Sequence, residues 1–175
     1  MLMHIILFGI RTFVSVVSIT VSAQKDYPYG PGWRRLQTIV KYNELKKSIA
    51  EADDKRFGRY TRSVTFALSE LLPELLRFGK CEAEIIIATL SPSDGELLRF
   101  DHEVMSCASA VEACSIFVYA IKSGRIPRKE PLPYVSPQTS VKFEVDYRVS
   151  GDDMLLHLKV DYHELFIRGK KRFLT

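Results

Sequence analysis

The stretch from Cys81 to Val149 constrains the fold most, because its hydrophobic pattern changes from strand-like to helix-like and back. Two β-rich runs flank the segment 91–95, which reads Ser-Pro-Ser-Asp-Gly. They predict a hairpin, since an Asp-Gly step accepts the positive φ of a tight turn. Ser109 and Glu112 then have the spacing of a capping box, which predicts the start of a helix. From residue 139 the pattern has period two, which indicates a half-buried strand. The order strand, turn, strand, helix, strand predicts an α+β fold with a short antiparallel sheet.

Two further helices are predicted before this unit. Residues 33–57 carry one narrow apolar stripe and several Glu-Lys pairs, and they follow an extended lead at 24–32 that is rich in proline and glycine. Residues 61–78 have leucines at helical spacing, which predicts a core helix. Pro73 is expected to kink this helix on its solvent face, and Gly79 to end it.

The sequence after the central helix predicts that the sheet gains one more strand. Residues 125–138 carry four prolines and are expected to form an extended surface connector. A turn at 150–153 and apolar alternation through 154–163 predict a fourth strand in a hairpin with the third. Residues 165–175 include several basic side chains. We interpret them as a solvated end, with contact to anionic lipid or an acidic partner as the alternative.

The first 23 residues have the composition of a secretory signal peptide. Apart from His4, Arg11 and small hydroxyl residues they are apolar, and they end in Val-Ser-Ala, a small-residue cleavage site after Ala23. An uncleaved anchor is the alternative, since ~20 apolar residues can span a bilayer. Arg11 lies near the middle of the segment and argues against that alternative. We therefore expect an exported protein of the periplasm, which contacts membrane only through an uncleaved leader or the basic tail.

Charge and motif content exclude several function classes. Without Arg11 the chain carries 24 basic and 21 acidic side chains, and these are interspersed rather than clustered, so a nucleic-acid partner is not expected. No motif for a nucleophile elbow, a phosphate-binding loop, a dinucleotide site or a zinc protease is present. We predict that the chain is not an enzyme, takes no small-molecule substrate and needs neither cofactor nor metal.

The strand-turn-strand-helix-strand unit resembles the C-terminal domain of TolA and, more loosely, that of TonB. The matching segments are the hairpin Leu90–Leu98, the pair Ala113-Cys114, the run Ala120–Pro127 and the last strand, Val141–Tyr147. The resemblance implies helices packed on one face of the sheet. It divides the chain into the leader at 1–23, a lead with one helix at 24–60, the TolA-like domain at 61–149, and an extra strand with a basic tail at 150–175.

The resemblance also implies a disulfide between Cys81 and Cys114, which in the chain-entropy model is worth ~4 kcal/mol. Without the resemblance, the sequence leaves a bond between Cys81 and Cys107 as the alternative. Cys107 and Cys114 are not expected to bond to each other, because seven residues in one helix separate them by about 10 Å. If the pair implied by the resemblance forms, Cys107 is expected to be a small buried apolar residue.

Proteins of this family are thought to bind partners by strand addition at a sheet edge. The resemblance therefore implies partners such as Tol-system proteins, or the translocation domains of bacteriocins and filamentous phage. A bacteriocin-immunity or toxin-inhibitor protein is the alternative. The expected contact edge consists of apolar residues on the third and fourth strands: Val141, Phe143, Val145, Tyr147, Leu156, Leu158 and Val160.

Overall fold

The computed structural model describes residues 31–58, 63–127 and 142–172. The chain divides into two compact units, residues 1–37 and 38–175. Of the first unit, only the opening residues of a helix are described, and all contacts below belong to the second unit. The elements in chain order are α1 (Pro31–Phe57), β1 (Ser63–Ala67), a 3-10 helix (Leu68–Leu71), α2 (Leu72–Leu75), β2 (Phe78–Leu90), β3 (Leu97–Cys107), α3 (Ala110–Ser123), β4 (Lys142–Ser150), β5 (Asp153–Val160) and β6 (His163–Lys171).

The strands form one antiparallel sheet in the order β1-β4-β5-β6-β2-β3. The predicted α+β class with an antiparallel sheet is confirmed, although the sheet has six strands rather than four. Within the described ranges, β1 and β3 are its two edges. No helix in those ranges combines the length and hydropathy needed to cross a bilayer.

Helices cover both faces of the sheet, so the prediction of helices on one face is wrong. Ile85 and Ile87 of β2 face the core beneath α3, whereas Ile86, between them, faces a second core beneath α1. This follows from strand geometry, because neighbouring side chains point to opposite faces. A strand that is apolar at every position therefore needs cover on both sides. Phe117 of α3 contacts Phe143 of β4 in the first core, with ring centroids 5.9 Å apart.

The local signals in the central stretch are confirmed. Gly95 has φ 71° in the turn of the β2–β3 hairpin, where its amide donates to the carbonyl of Ser91 at 2.8 Å. Helix α3 begins at the predicted cap, since the Glu112 amide donates to the Ser109 hydroxyl at 3.1 Å. It ends at Gly124, which adopts the left-handed conformation with φ 76°. The predicted helix at 33–57 is also confirmed, with its first residue at Pro31.

The helix predicted at 61–78 is wrong. Its first part is strand β1, its middle is the 3-10 helix, and only the four residues Leu72–Leu75 are α-helical. β-branched residues at 64 and 65 favour the extended form, and Pro73 begins a new turn rather than kinking an old one. Gly79 does not end a helix either, because it lies inside β2 where the pairing with β6 shifts register.

The solvated end predicted at 165–175 is wrong for residues 165–169, which are buried or half-buried within a strand, whereas 173–175 lie outside the described residues. Residues 163–171 form β6, which lies between β5 and β2 in the middle of the sheet. Leu165 and Ile167 are fully buried, and Phe166 is 5% exposed on the other face. Burial of these three side chains at roughly 2 kcal/mol each explains why basic neighbours do not keep the segment in solvent. The sheet is therefore continuous across the boundary drawn between 149 and 150. The leader, most of the lead, and most of the proline-rich connector lie outside the described residues.

Candidate functional site

The sequence predicted a contact edge on the two strands that the structure numbers β4 and β5, and this prediction is wrong. Strand β4 lies between β1 and β5, and β5 lies between β4 and β6, so both are inner strands. The missing information was the position of β6, which the sequence did not identify as a strand. Four of the expected contact residues are buried: Phe143, Val145, Leu156 and Leu158. Tyr147 and Val160 are half-buried against the core beneath α3. Val141 lies outside the described residues.

Strand β3 is the long edge of the sheet, and its outward backbone groups can be assigned. The amide of Ala88 in β2 donates to Nδ1 of His163 on the β6 side at 3.0 Å, so the backbone of Ala88 points away from β3. Backbone direction alternates along an antiparallel strand, and Ala88 is paired with Phe100. The N–H and C=O groups of four residues of β3 therefore point away from β2: Phe100, His102, Val104 and Ser106. Within the described ranges, no strand pairs with them.

The side chains of these four residues share the face covered by α1. The Phe100 ring meets the Tyr42 ring edge-on, with centroids 5.5 Å apart. Nε2 of His102 lies 3.0 Å from Oε1 of Glu84. Val104 is an apolar residue with 51% of its surface exposed. The edge therefore combines unpaired backbone groups with both apolar and polar side chains.

A buried ion-pair network, centred on Arg168 of β6, links the β3 edge to the strands behind it. The guanidinium donates to both carboxylate oxygens of Asp53 in α1, at 2.7 and 2.9 Å, and to Oε2 of Glu84 at 2.8 Å. Glu84 in turn contacts His102, so the network reaches from α1 through β6 and β2 to β3. Although burial opposes it, the two carboxylates raise the pKa of Arg168. Beside the network is an open cleft of about 420 Å³, which Arg56 and Glu82 also line.

A second network lies around Glu164, whose side chain is fully buried. Its carboxylate accepts a hydrogen bond from the Tyr42 hydroxyl at 2.8 Å, contacts Nε2 of His157 at 2.8 Å, and pairs with Lys46 at 3.1 Å. Burial alone would raise the pKa of Glu164, but the contacts with His157, Tyr42 and Lys46 lower it to about 2. The His157 ring also stacks on Phe166 at 4.1 Å. This network attaches α1 to β5 and β6.

The two networks are built from the same kinds of contact. Their carboxylates face cations, imidazoles or a phenol, and no cysteine or serine lies at an imidazole in the contacts described above. Within residues 31–58, 63–127 and 142–172, no group of three or more His, Cys, Asp or Glu side chains is placed to hold a metal ion. The networks position α1 against the sheet.

The disulfide implied between Cys81 and Cys114 is not formed in the structure, where all three cysteines are free and buried. Cys107 is not in the helix, as the sequence suggested, but ends β3 directly opposite Cys81. Burial raises the pKa of Cys81 to about 11 and that of Cys107 to about 12, and it raises the pKa of Cys114 further. Thiols with such pKa values are protonated at neutral pH and react slowly.

We expect all three thiols to react with a thiol reagent once the protein is unfolded in guanidinium chloride, and to react slowly in the folded protein. The count follows from the free state of the cysteines, and the slow reaction follows from their burial. Spectrophotometric thiol counting measures both. A count of one in the unfolded protein would contradict the structure. Peptide mapping would then distinguish a Cys81–Cys107 bond from a Cys81–Cys114 bond.

Sequence reasoning missed the charged residues of both networks. Glu164, Phe166 and Arg168 alternate within the C-terminal segment, and an amphipathic pattern of that kind is a strand signal. Treating that segment as a strand would have placed the glutamate and the arginine on one face. Nothing in the sequence identifies their partners, because Asp53 lies 115 residues from Arg168. Comparison of the chain with protein-family models, characterised proteins and solved structures gives no match.

Proposed function

We propose that the chain is a protein-binding module which takes an extended segment of a partner as an additional strand on the outer edge of β3. The observation that carries this proposal is the row of outward backbone groups at Phe100, His102, Val104 and Ser106. Backbone hydrogen bonds supply affinity in strand addition, and the alternating side chains supply specificity. A net value of about 1 kcal/mol for each new hydrogen bond allows weak to moderate binding.

The edge is long and rigidly supported, and both features favour a binding role over an edge strand that is merely exposed to solvent. Strand β3 has 11 residues and pairs with β2 from Leu97 to Cys107, with one register shift at Leu98. Natural proteins usually shorten such edges or twist them away, because an open edge promotes aggregation. The ion pairs from Arg168 and Glu84 hold the strands behind β3 in place. A preorganised edge loses less conformational entropy when a partner binds.

The proposed setting is the periplasm, and the proposed partners are envelope proteins of the Tol-system type. The apolar leader at 1–23 supports export. The resemblance to the C-terminal domain of TolA supports the choice of partners, and its hairpin and helix correspond to 78–107 and 110–123. The proposed contact strand is β3, whereas the resemblance implied the last strand of the predicted unit. That strand is β4 in the structure, and it is an inner strand.

Replacing Val104 by proline is the direct test of the proposed edge. The Val104 amide points outward, so proline removes a donor to the partner while the β2–β3 hydrogen bonds remain. We expect Val104→Pro to stay folded by circular dichroism and to lose binding to purified TolB, or to the periplasmic protein that the wild-type chain captures. Val104→Thr keeps the amide and is the matched control, expected to bind as the wild type does. Equal binding by wild type and Val104→Pro would overturn the proposal.

A further inference from the structure

We infer that the extended segment bound by β3 carries an arginine or lysine opposite Ser106, and that this cation reaches across Ser106 to Glu82. The inference rests on the proposed function and adds the chemistry of the partner. It concerns the C-terminal end of β3, where Ser106 is paired with Glu82, a residue that lines the cleft of about 420 Å³.

The sheet register places the acidic group. Glu82 of β2 is paired with Ser106 of β3, so both side chains lie on the α1 face in the same row across the sheet. An added strand puts its own residue next to Ser106 in this row, at a spacing of about 4.8 Å between strands. Ser106 is small and exposed, so a long side chain of the added strand can cross β3 above it and reach β2. Lysine and arginine are the side chains long enough to use that path while carrying a charge.

The charge balance of the cleft favours a cation at this point. Its acidic residues are Asp53, Glu82 and Glu84, and its basic residues are Arg56, Arg168 and His102; counting histidine as uncharged, this leaves one excess negative charge. Arg168 lies within 2.9 Å of Asp53 and Glu84 but 3.6 Å from Glu82. The Glu82 side chain is 52% exposed, against 5% for Asp53 and 11% for Glu84. Glu82 is therefore the carboxylate of the cleft that a partner reaches most easily.

The opposite face of β3 disfavours one register in which a second copy of this chain could pair with it. Two copies of β3 paired antiparallel about His102 would place Asp101 opposite Glu103 of the second copy, and this contact would occur twice. Like charges directly opposite each other destabilise a pair of strands. A separate protein with basic residues avoids this repulsion and also meets Glu82. The partner is thus a basic extended segment, although the chain itself has a net charge of +4.

Selection from a phage-displayed library of random 12-residue peptides tests the inference. We expect peptides selected on the wild-type chain to be enriched in lysine and arginine, and to bind Glu82→Lys about tenfold more weakly, with Glu82→Gln in between. Selection on Glu82→Lys is expected to enrich aspartate and glutamate instead. Glu144→Lys is the matched control, because it makes the same charge change at an exposed position on β4, three strands from β2.

The possible results separate this inference from the proposed function. Peptides that lose binding on Val104→Pro but show no preference for basic residues would overturn the inference and leave the edge-binding function standing. Peptides that bind Val104→Pro as well as the wild type, or a selection that yields no binders, would overturn both. Equal weakening by Glu82→Lys and Glu144→Lys would indicate general electrostatics, and it would also overturn the specific role of Glu82.

Discussion

Replacing Arg168 by methionine is expected to lower the free energy of unfolding by about 3 to 5 kcal/mol. Arg168 is 7% exposed, and its guanidinium is the cation that both Asp53 and Glu84 contact at less than 3 Å. Methionine fills much of the same volume but leaves two buried carboxylates without that cation. The cost of an uncompensated buried charge is large because little water reaches it. Urea denaturation at neutral pH measures the change.

Lys170→Met is the matched control for this prediction. Lys170 is on the same strand and pairs with Asp153 at 3.0 Å, but its side chain is 75% exposed. Exposed pairs of this kind contribute about 0 to 1 kcal/mol, so the control should unfold close to the wild type. If Arg168→Met lost no more than Lys170→Met, the buried network would not be what holds α1 to the sheet. The support proposed for the β3 edge would then be wrong.

Acid is expected to remove the stabilisation that Glu164 provides, over a defined pH range. The pKa of Glu164 is about 2 in the folded protein, against the ordinary value of 4.5 for a glutamate in the unfolded chain, so the carboxylate binds protons more weakly when folded. Its contribution is therefore fully present above about pH 4.5 and is lost as the pH falls through 2. Each pKa unit corresponds to about 1.4 kcal/mol, so the contribution is about 3 kcal/mol.

The measurement compares the unfolding free energies of the wild type and Glu164→Gln from neutral pH down to pH 2. Glutamine keeps the shape of the side chain but cannot ionise. The difference between the two proteins should shrink steadily as the pH falls below 4.5. The exposed Glu144→Gln is the matched control and should show no such trend. Parallel curves for wild type and Glu164→Gln would contradict the assignment of the low pKa to Glu164.

Local signals in the sequence predicted the parts of the fold whose stability is local. The turn at Gly95 needs positive φ, and the cap at Ser109 needs a hydroxyl three residues before the amide of Glu112. Both requirements are met within a few residues of sequence. Alternation over eight or nine residues was likewise sufficient to predict β4 and β5.

Other elements depend on contacts that the sequence does not display. The leucines between 68 and 76 have helical spacing, yet α2 is only one turn long, and Leu71 and Leu75 are buried while Leu72 and Leu76 remain exposed. The C-terminal segment is basic, yet it is an inner strand between β5 and β2. Its apolar side chains are buried on both faces of the sheet. Strand order determines which edge is open, so the open edge could not be predicted before β6 was recognised.

Amide hydrogen exchange along β3, followed residue by residue by NMR, tests the central claim most directly. An open outer edge predicts fast exchange at Phe100, His102, Val104 and Ser106, because their amides point away from β2. The residues between them donate to β2 and should exchange slowly, which gives an alternating pattern along the strand. Uniform protection of all these amides would show that the edge is already covered in the free protein, and it would contradict the proposed binding site.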